Sequence, residues 1–360
     1  MRRSERHGSA ERPAPGRVGP AGGPAGFGRP WPGRAAPGRP AKVGTSDFVT
    51  SGRSGAAGRR AIVPAMVIEI PAHSPTDVTL RRTTPDDIPE CGRILYEAFA
   101  SLADRHAFPH DFESVEAATG SMRALIRNPG FYGIAAEAGG RVVGSTFLDE
   151  RSTIHAIGPV SVDPKAQNHH VGQALMIAML QRAKETGTPG VRLIQISYHN
   201  RSLSLYAKLG FDVRGAYAAM HGVPLCLTFP GYRVRVATEA DEAACNALCQ
   251  RVHGHTRAGE IHGPIREGRL TVVERLGRIT AYTTGIHYFG HTVAETNDDV
   301  QALIGAANEF GTPGFIVPLD NGDLFRWCLG HGLRVFFVLN MMTIGLYQEP
   351  HGAYLPSIGY

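Results

Sequence analysis

Apolar and polar positions from about residue 78 onward follow the periods of short strands and amphipathic helices. Residues 78–99 predict a strand followed by a helix, with Thr84 as the N-cap and Pro85 in the first helical turn. Residues 131–150 predict two strands joined by a Gly-Gly turn. The pattern therefore predicts a folded region in which strands and helices are mixed.

Four more segments continue this order. They predict in turn a strand, a helix that ends at a glycine, a buried strand, and a short helix that leads into a final strand; they span residues 154–164, 171–187, 191–199 and 200–215. Gly158 and Pro159 interrupt the first of these strands, which predicts a bulge or a splay at that point.

The start of the pattern recurs 154 residues later, because residues 80–94 align with residues 234–248 without a gap. The alignment pairs Arg81 with Arg235, Thr84 with Thr238, Asp87 with Asp241 and Cys91 with Cys245. A recurring strand-plus-helix start predicts two copies of one domain. We expect a tail over residues 1–75, a first domain over 76–228 and a second domain over 229–360.

The net charge of +5 is unevenly placed along the 360 residues. Residues 1–60 hold twelve Arg or Lys and three Asp or Glu, whereas the other 300 residues hold 25 and 29. The excess of basic residues lies in the tail, so the net charge gives no evidence of a nucleic-acid-binding surface on the folded part. The tail is rich in Gly, Pro, Ala and Arg, which predicts disorder because it contains too little apolar surface to offset its ordering entropy.

Five scattered cysteines without a CxxC pair indicate reduced thiols in a cytoplasmic protein. Cys245, Cys249 and His253 recur every four residues, the spacing of one helix face. A helix that buries small thiols is favoured over a metal site because no fourth ligand is evident, so we expect no metal. No apolar run approaches the ~18 residues that cross a bilayer, and we expect no membrane partner.

Residues 167–175, QNHHVGQAL, lie between a predicted strand and a predicted helix. A helix N-terminus offers unpaired N–H groups and a partial positive charge, so a loop of N–H groups before it suits a pyrophosphate. The interrupted strand leaves backbone groups for an extended, amide-bearing ligand. A pyrophosphate joined to an amide-rich arm describes coenzyme A. His170 stands where such a loop usually has a glycine, and histidine tolerates the left-handed backbone better than β-branched residues do.

Two motifs in this order resemble the GCN5-related N-acetyltransferase (GNAT) superfamily. Residues 167–172 resemble the family loop Gln/Arg-x-x-Gly-x-Gly/Ala, and residues 200–211 resemble its later segment, which ends Tyr-x-Lys-x-Gly-Phe. The resemblance covers residues 77 to about 225. It implies an α/β (α+β) fold of two GNAT-like domains, each a mixed, mostly antiparallel twisted sheet flanked by helices, with a splayed central strand.

The resemblance also implies acetyl transfer from acetyl-CoA to a primary amine by direct attack in a ternary complex. Tyr206 matches the family's general acid, which protonates the departing thiolate. The residues expected to bind acetyl-CoA are Val160, Ser161, Val162, Gln167, Asn168, His169, His170, Val171, Gly172, Gln173, Asn200, Ser202 and Tyr206.

The general base is less well defined. Family members often carry a glutamate just before the splay, where this chain has Ala156. Glu150 and His155 are the candidates for the catalytic base, ahead of Asp149 and Tyr198. The alternative that Glu150 and His155 are solvated residues of the hairpin without a catalytic role stays equally open.

The second copy departs from the family pattern. Its cradle region, residues 291–307, has no Gly-x-Gly and places Asp298 and Asp299 where phosphates would lie, and two carboxylates repel a pyrophosphate. Trp327 or Cys328 replaces the tyrosine. We expect this copy to shape the acceptor pocket or an interface, with the last residues, GAYLPSIGY, folding back over the first domain's cleft.

The hypothesis that results is an N-acetyltransferase whose acceptor is a small-molecule amine. Two alternatives stay open: a non-catalytic acyl-CoA-binding sensor or scaffold, and an acetyltransferase of a protein or peptide amine. Residues 99–115 are expected to form a loop that lines the acceptor pocket. The sequence does not determine the oligomeric state, and a homodimer is among the states that it leaves open.

Overall fold

The structure, a computed structural model, describes residues 78–311 and 313–359. The segment 1–75, predicted to be a disordered tail, lies outside the described residues. The N-terminal half contains β1 (Thr79–Arg82), α1 (Ile88–His106), α2 (Val115–Arg127), β2 (Phe131–Ala138), β3 (Arg141–Asp149), β4 (His155–Ile157), β5 (Ser161–Val162), α3 (Val171–Thr186), β6 (Gly190–Ile196), α4 (Asn200–Lys208) and β7 (Asp212–His221).

The C-terminal half follows a similar order, but it has no counterpart of β5 and it ends with an added strand. It contains β8 (Arg233–Val236), α5 (Glu242–His253), α6 (Ala258–Arg266), β9 (Thr271–Arg275), β10 (Arg278–Thr283), β11 (Thr292–Ala294), α7 (Asn297–Ala306), β12 (Phe315–Pro318), α8 (Gly322–Gly330), β13 (Arg334–Gly345) and β14 (Ala353–Leu355). None of the helices in the described part of the chain has the length and apolar character needed to cross a membrane.

Two sheets organise these elements. The larger sheet has the strand order β1-β2-β3-β4-β6-β13-β7-β12, with β5 paired to β3, and the smaller has the order β14-β11-β10-β9-β8. Among the described strands the pair β4–β6 is parallel and the other pairs are antiparallel. The predicted mixed, mostly antiparallel fold with flanking helices is confirmed.

The two halves exchange strands. β13, from the C-terminal half, lies between β6 and β7 and pairs with β6 from Leu339↔Ile196 to Gly345↔Gly190. β7, from the N-terminal half, pairs on its other edge with β12. The domain boundary predicted between residues 228 and 229 falls between β7 and β8, yet the larger sheet contains strands of both halves.

The repeated start of each half forms the same local structure. The Arg81 guanidinium donates two hydrogen bonds of 2.8 Å to the Asp87 carboxylate, which also accepts from the Thr84 N–H at 2.7 Å. The second half repeats this set of contacts with Arg235, Asp241 and Thr238, at 2.7, 2.9 and 2.8 Å. Both sets hold a 3-10 turn at the start of the following helix.

Replacing Asp87 by asparagine is expected to lower the free energy of unfolding at pH 7 by about 1–3 kcal/mol, because it removes charge-assisted hydrogen bonds to a buried carboxylate. The Arg81 guanidinium holds the pKa of Asp87 below its ordinary value. The stabilising contribution is therefore complete above the unfolded-state pKa of about 4 and is lost as the pH falls through the lowered pKa of the folded state.

Urea unfolding of both proteins from pH 7 to pH 3 measures this effect. The matched control is Asp86→Asn, because Asp86 is the exposed neighbour, and its change is expected to stay within about 0.5 kcal/mol. An equal effect of both substitutions at pH 7 would contradict the assigned contacts.

Candidate active site

A cavity of about 1250 Å³ opens where the chain, after β4 has paired with β6, continues into β5, which does not pair with β6. It is lined by the loop before α3, by α4, by α1 and α2, and by residues of the C-terminal half. Eleven of the predicted site residues line it: Val160, Val162, Gln167, Asn168, His170, Val171, Gly172, Gln173, Asn200, Ser202 and Tyr206. The other two residues predicted to bind acetyl-CoA do not line it, since Ser161 is fully buried beside Ser145 and His169 is exposed outside the cavity.

The splay arises from a change of partners along one edge. β4 pairs with β6 at His155 and Ala156, whereas β5 pairs only with β3, at Ser161 and Val162. The other edge of β5 is therefore free of strand pairing where Val160 and Val162 line the cavity. The predicted splayed central strand is confirmed.

The loop before α3 has a left-handed backbone at His170, the position where such loops usually have a glycine. His170 is the N-cap of α3 and lies in the left-handed region, with φ 59° and ψ 9°. Asn168 also has a positive φ, of 71°. Histidine and asparagine enter this region more easily than β-branched residues, so the loop keeps a glycine-like turn without the glycine.

The start of α3 presents unpaired N–H groups to the cavity. The helical hydrogen-bond pattern begins with the Ala174 N–H, which donates to the His170 carbonyl at 3.0 Å, so the N–H groups of residues 171–173 precede it. The His170 ring turns back onto this helix, with Nδ1 3.1 Å from the Gln173 Oε1 atom. Gln167 supports the loop by donating from Nε2 to the Val162 carbonyl at 3.3 Å. The loop and helix start together form a cradle for an anion.

Tyr206 lies on α4 with 8% of its surface exposed, and it lines the cavity. Burial raises the pKa of its phenol, so the hydroxyl remains protonated at neutral pH. Its carbonyl accepts hydrogen bonds from the N–H groups of Leu209 and Phe211, which fix the end of the helix. Ser202, one turn earlier, donates to the His199 carbonyl at 3.0 Å and so supports the start of the same helix.

The two residues predicted as the catalytic base do not line the cavity. The Glu150 carboxylate accepts two hydrogen bonds from Arg182, at 2.7 and 3.1 Å. His155 is buried, its Nδ1 lies 3.5 Å from the Thr186 hydroxyl, and burial lowers the pKa of its ring. The structure therefore does not bring either residue together with Tyr206, and their role as base stays a prediction.

Three other carboxylates do line the cavity: Asp111, Asp149 and Glu260. Asp149 forms an ion pair with Arg151 at 2.5 Å, and Glu260, from the C-terminal half, accepts a short hydrogen bond from the Ser152 hydroxyl. Asp111 belongs to the segment 99–115, which was predicted to be a pocket-lining loop. The segment does line the cavity, but its first part is helix, because α1 continues to His106 and ends at the left-handed Ala107. Glu260 carries no sequence signal, because it reaches the cavity only through the packing of α6.

The C-terminal half closes one side of the cavity with Tyr288, Phe289 and residues 357–359. The Ile358 N–H donates to the Tyr288 carbonyl at 2.8 Å, which holds the last residues in place. The prediction that the end of the chain folds back over the first cleft is confirmed. The C-terminal half thus supplies part of the wall of this cavity.

In the second copy a carboxylate fills the position of the cradle. Asp299, fully buried at the start of α7, accepts from the Thr296 N–H at 3.1 Å and from the Thr296 and Thr280 hydroxyls, both at 2.6 Å. Arg275 lies 3.3 Å from the same carboxylate. The Asp299 carboxylate thus occupies the N-terminus of α7, which leaves no place for a phosphate.

The counterpart of Tyr206 in the second copy is Cys328. Each is the seventh residue of a nine-residue helix, and each carbonyl accepts a hydrogen bond from the N–H five residues later. Of the two residues proposed from the sequence, Trp327 and Cys328, the structure selects the cysteine. Cys328 is fully buried, and burial raises the pKa of its thiol, so it offers no accessible proton donor.

The spaced residues Cys245, Cys249 and His253 face the core of the second half. All three are buried, on one side of α5. No group of three or more His, Cys, Asp or Glu side chains suited to a metal occurs in the part of the chain that the structure describes. Packing of small thiols accounts for their spacing.

A splayed, mostly antiparallel sheet with an anion cradle at a helix N-terminus and a buried tyrosine beside it defines a GNAT-type fold. Residues 94–211 match the family model described as acetyltransferase (GNAT) family. This part of the chain is therefore a GNAT domain, of a family whose members are transferases. No curated protein matches the sequence.

Two solved structures share the fold over a span that neither half alone could fill. A protein of Pyrococcus horikoshii classed as an acetyltransferase is 17% identical, covers 77% of this chain and 94% of its own, and has a TM-score of 0.60. A GCN5-related N-acetyltransferase from Sphaerobacter thermophilus is 12% identical, covers 76% of this chain and 96% of its own, and has a TM-score of 0.53. At these identities the likeness establishes the fold alone.

Proposed function

We propose that the protein is an acyl-CoA-dependent N-acetyltransferase that moves an acetyl group from acetyl-CoA to a primary amine of a small molecule. The observation that carries this proposal is a single cavity lined by the anion cradle, the open edge of β5 and Tyr206. These are the three parts needed to hold a pyrophosphate, an amide-bearing arm and a leaving thiolate.

The residues present fit the co-substrate. The N–H groups at the start of α3 would receive the pyrophosphate, and the free edge of β5 would receive the amides of the pantetheine arm. Arg201 and Lys208 also line the cavity and add positive charge near the phosphates. Arg201 donates to the Asn168 side-chain oxygen at 2.7 Å, which ties α4 to the cradle loop.

The reaction proposed is a direct transfer. The amine nitrogen attacks the thioester carbonyl carbon, a C–N bond forms, and the C–S bond breaks. The Tyr206 hydroxyl gives its proton to the departing thiolate, and the attacking nitrogen loses one proton to a base. The raised pKa of Tyr206 keeps that hydroxyl protonated until the thiolate forms.

A small-molecule acceptor is supported by the wall that the C-terminal half adds. Tyr288, Phe289 and residues 357–359 close the side of the cavity that an unfused domain would leave open. The five cysteines are free thiols, which supports a reducing, cytoplasmic location.

Titration of acetyl-CoA and CoA into the full chain by calorimetry, followed by incubation with a panel of small amines and of peptides with a free N-terminus, tests the function. Binding together with an acetylated small amine and an equal amount of released thiol is the expected result. Turnover of peptides alone would favour a protein acceptor. Binding without turnover of any acceptor would favour a sensor or scaffold, and absent binding would contradict the proposal.

A further inference from the structure

Asp111 lies between α1 and α2, lines the cavity and is only 7% exposed. Its Oδ1 atom is buried and has no hydrogen-bond partner within residues 78–311 and 313–359. Burial raises the pKa of this carboxyl to about 7, and a hydrogen bond from its own backbone N–H and the nearby His110 ring oppose the shift. A buried carboxylate oxygen without a partner costs free energy, so its presence in a cavity indicates a ligand that would satisfy it.

The surroundings of Asp111 are aromatic and apolar. Phe99, Tyr198, Tyr288 and Ile358 pack in one cluster, and the Asp111 charge acts on both tyrosines. Phe108 stacks on Tyr198 with ring centroids 4.2 Å apart. This end of the cavity combines one carboxyl group, which is ionised above a pH of about 7, with a wall of rings. It lies on the side that the C-terminal half closes.

We propose that Asp111 binds the ammonium group of the acceptor, and that the acceptor is a cationic amine with an apolar or aromatic body. This inference rests on the proposed transferase function and names its substrate class. An ammonium group supplies N–H donors and a positive charge to the carboxylate, and aromatic faces stabilise the same charge. Acidic acceptors are excluded, because a second negative charge would lie beside a buried carboxylate.

The test compares 2-phenylethylamine with its neutral analogue 2-phenylethanol, each titrated by calorimetry in the presence of CoA. The proteins are the wild type, Asp111→Asn, and the control Glu116→Gln, which changes an exposed carboxylate outside the cavity. The wild type and the control are expected to bind the amine roughly 10- to 100-fold more tightly than the alcohol, the range of one charge-assisted interaction. In Asp111→Asn this preference should disappear.

Kinetics with 2-phenylethylamine as acceptor should show the loss mainly as a higher KM, because the interaction is formed already in the ground state. Equal amine binding by Asp111→Asn and wild type, or no preference for the amine in the wild type, would overturn the assignment. Acetyl-CoA titrations of the same samples keep the two proposals apart. Unchanged acetyl-CoA affinity in Asp111→Asn would show that the substitution leaves the cradle intact. If the wild type does not bind acetyl-CoA, that result contradicts the transferase function and does not itself test the assignment of Asp111.

Discussion

Replacing Gly172 by glutamate is expected to weaken the binding of CoA and acetyl-CoA by at least about 100-fold, because a carboxylate some ~4 Å from a phosphate charge costs several kcal/mol. Gly172 is the second residue of α3. A Cβ atom there would lie 3.7 Å from Val162 and 3.9 Å from Leu205, which are ordinary contacts. The glutamate thus enters the space between β5 and α4 without displacing either, and a carboxylate in the first turn suits the helix dipole.

Calorimetric titration of both ligands measures this effect, and Gly172→Gln is the matched control for side-chain size. The glutamine variant lacks the charge, so it is expected to bind at least about 10-fold more tightly than the glutamate variant. Wild-type affinity in Gly172→Glu would show that the start of α3 does not hold the pyrophosphate.

Replacing Tyr206 by phenylalanine is expected to lower kcat by about 100-fold or more, the usual loss when a general acid is removed. Acetyl-CoA affinity should stay near that of the wild type, because the Tyr206 hydroxyl forms no hydrogen bond with the described residues and its ring remains packed near Phe211. The measurement is single-turnover acetyl transfer with a saturating amine, in which the chemical step limits the rate.

Tyr132→Phe is the control, because Tyr132 lies on β2 outside the cavity and is expected to keep wild-type turnover. An unchanged single-turnover rate in Tyr206→Phe would mean that another group protonates the thiolate.

Local features of the fold could be predicted from the sequence because neighbouring residues determine them. Thr84 and Asp87 form the expected start of α1, and the Gly-Gly turn joins β2 to β3 with both glycines at positive φ. The loop before α3 and the helix that carries Tyr206 also follow from residues close in sequence. The helices α2 and α6 were not predicted, and their interiors contain Gly120 and Pro264, which disfavour helix in an isolated segment.

The sequence by itself indicated the recurring strand-plus-helix start, the interruption at Gly158 and Pro159 that becomes the splay, and the helix that carries Tyr206. Only the tertiary structure decided which half each late strand joins, that Asp111 is buried, and that Glu150 pairs with Arg182 away from the cavity. Two similar copies offer similar strand edges, so periodicity specifies a strand without specifying its partner. Burial of a side chain likewise depends on segments more than a hundred residues apart, which local pattern does not report.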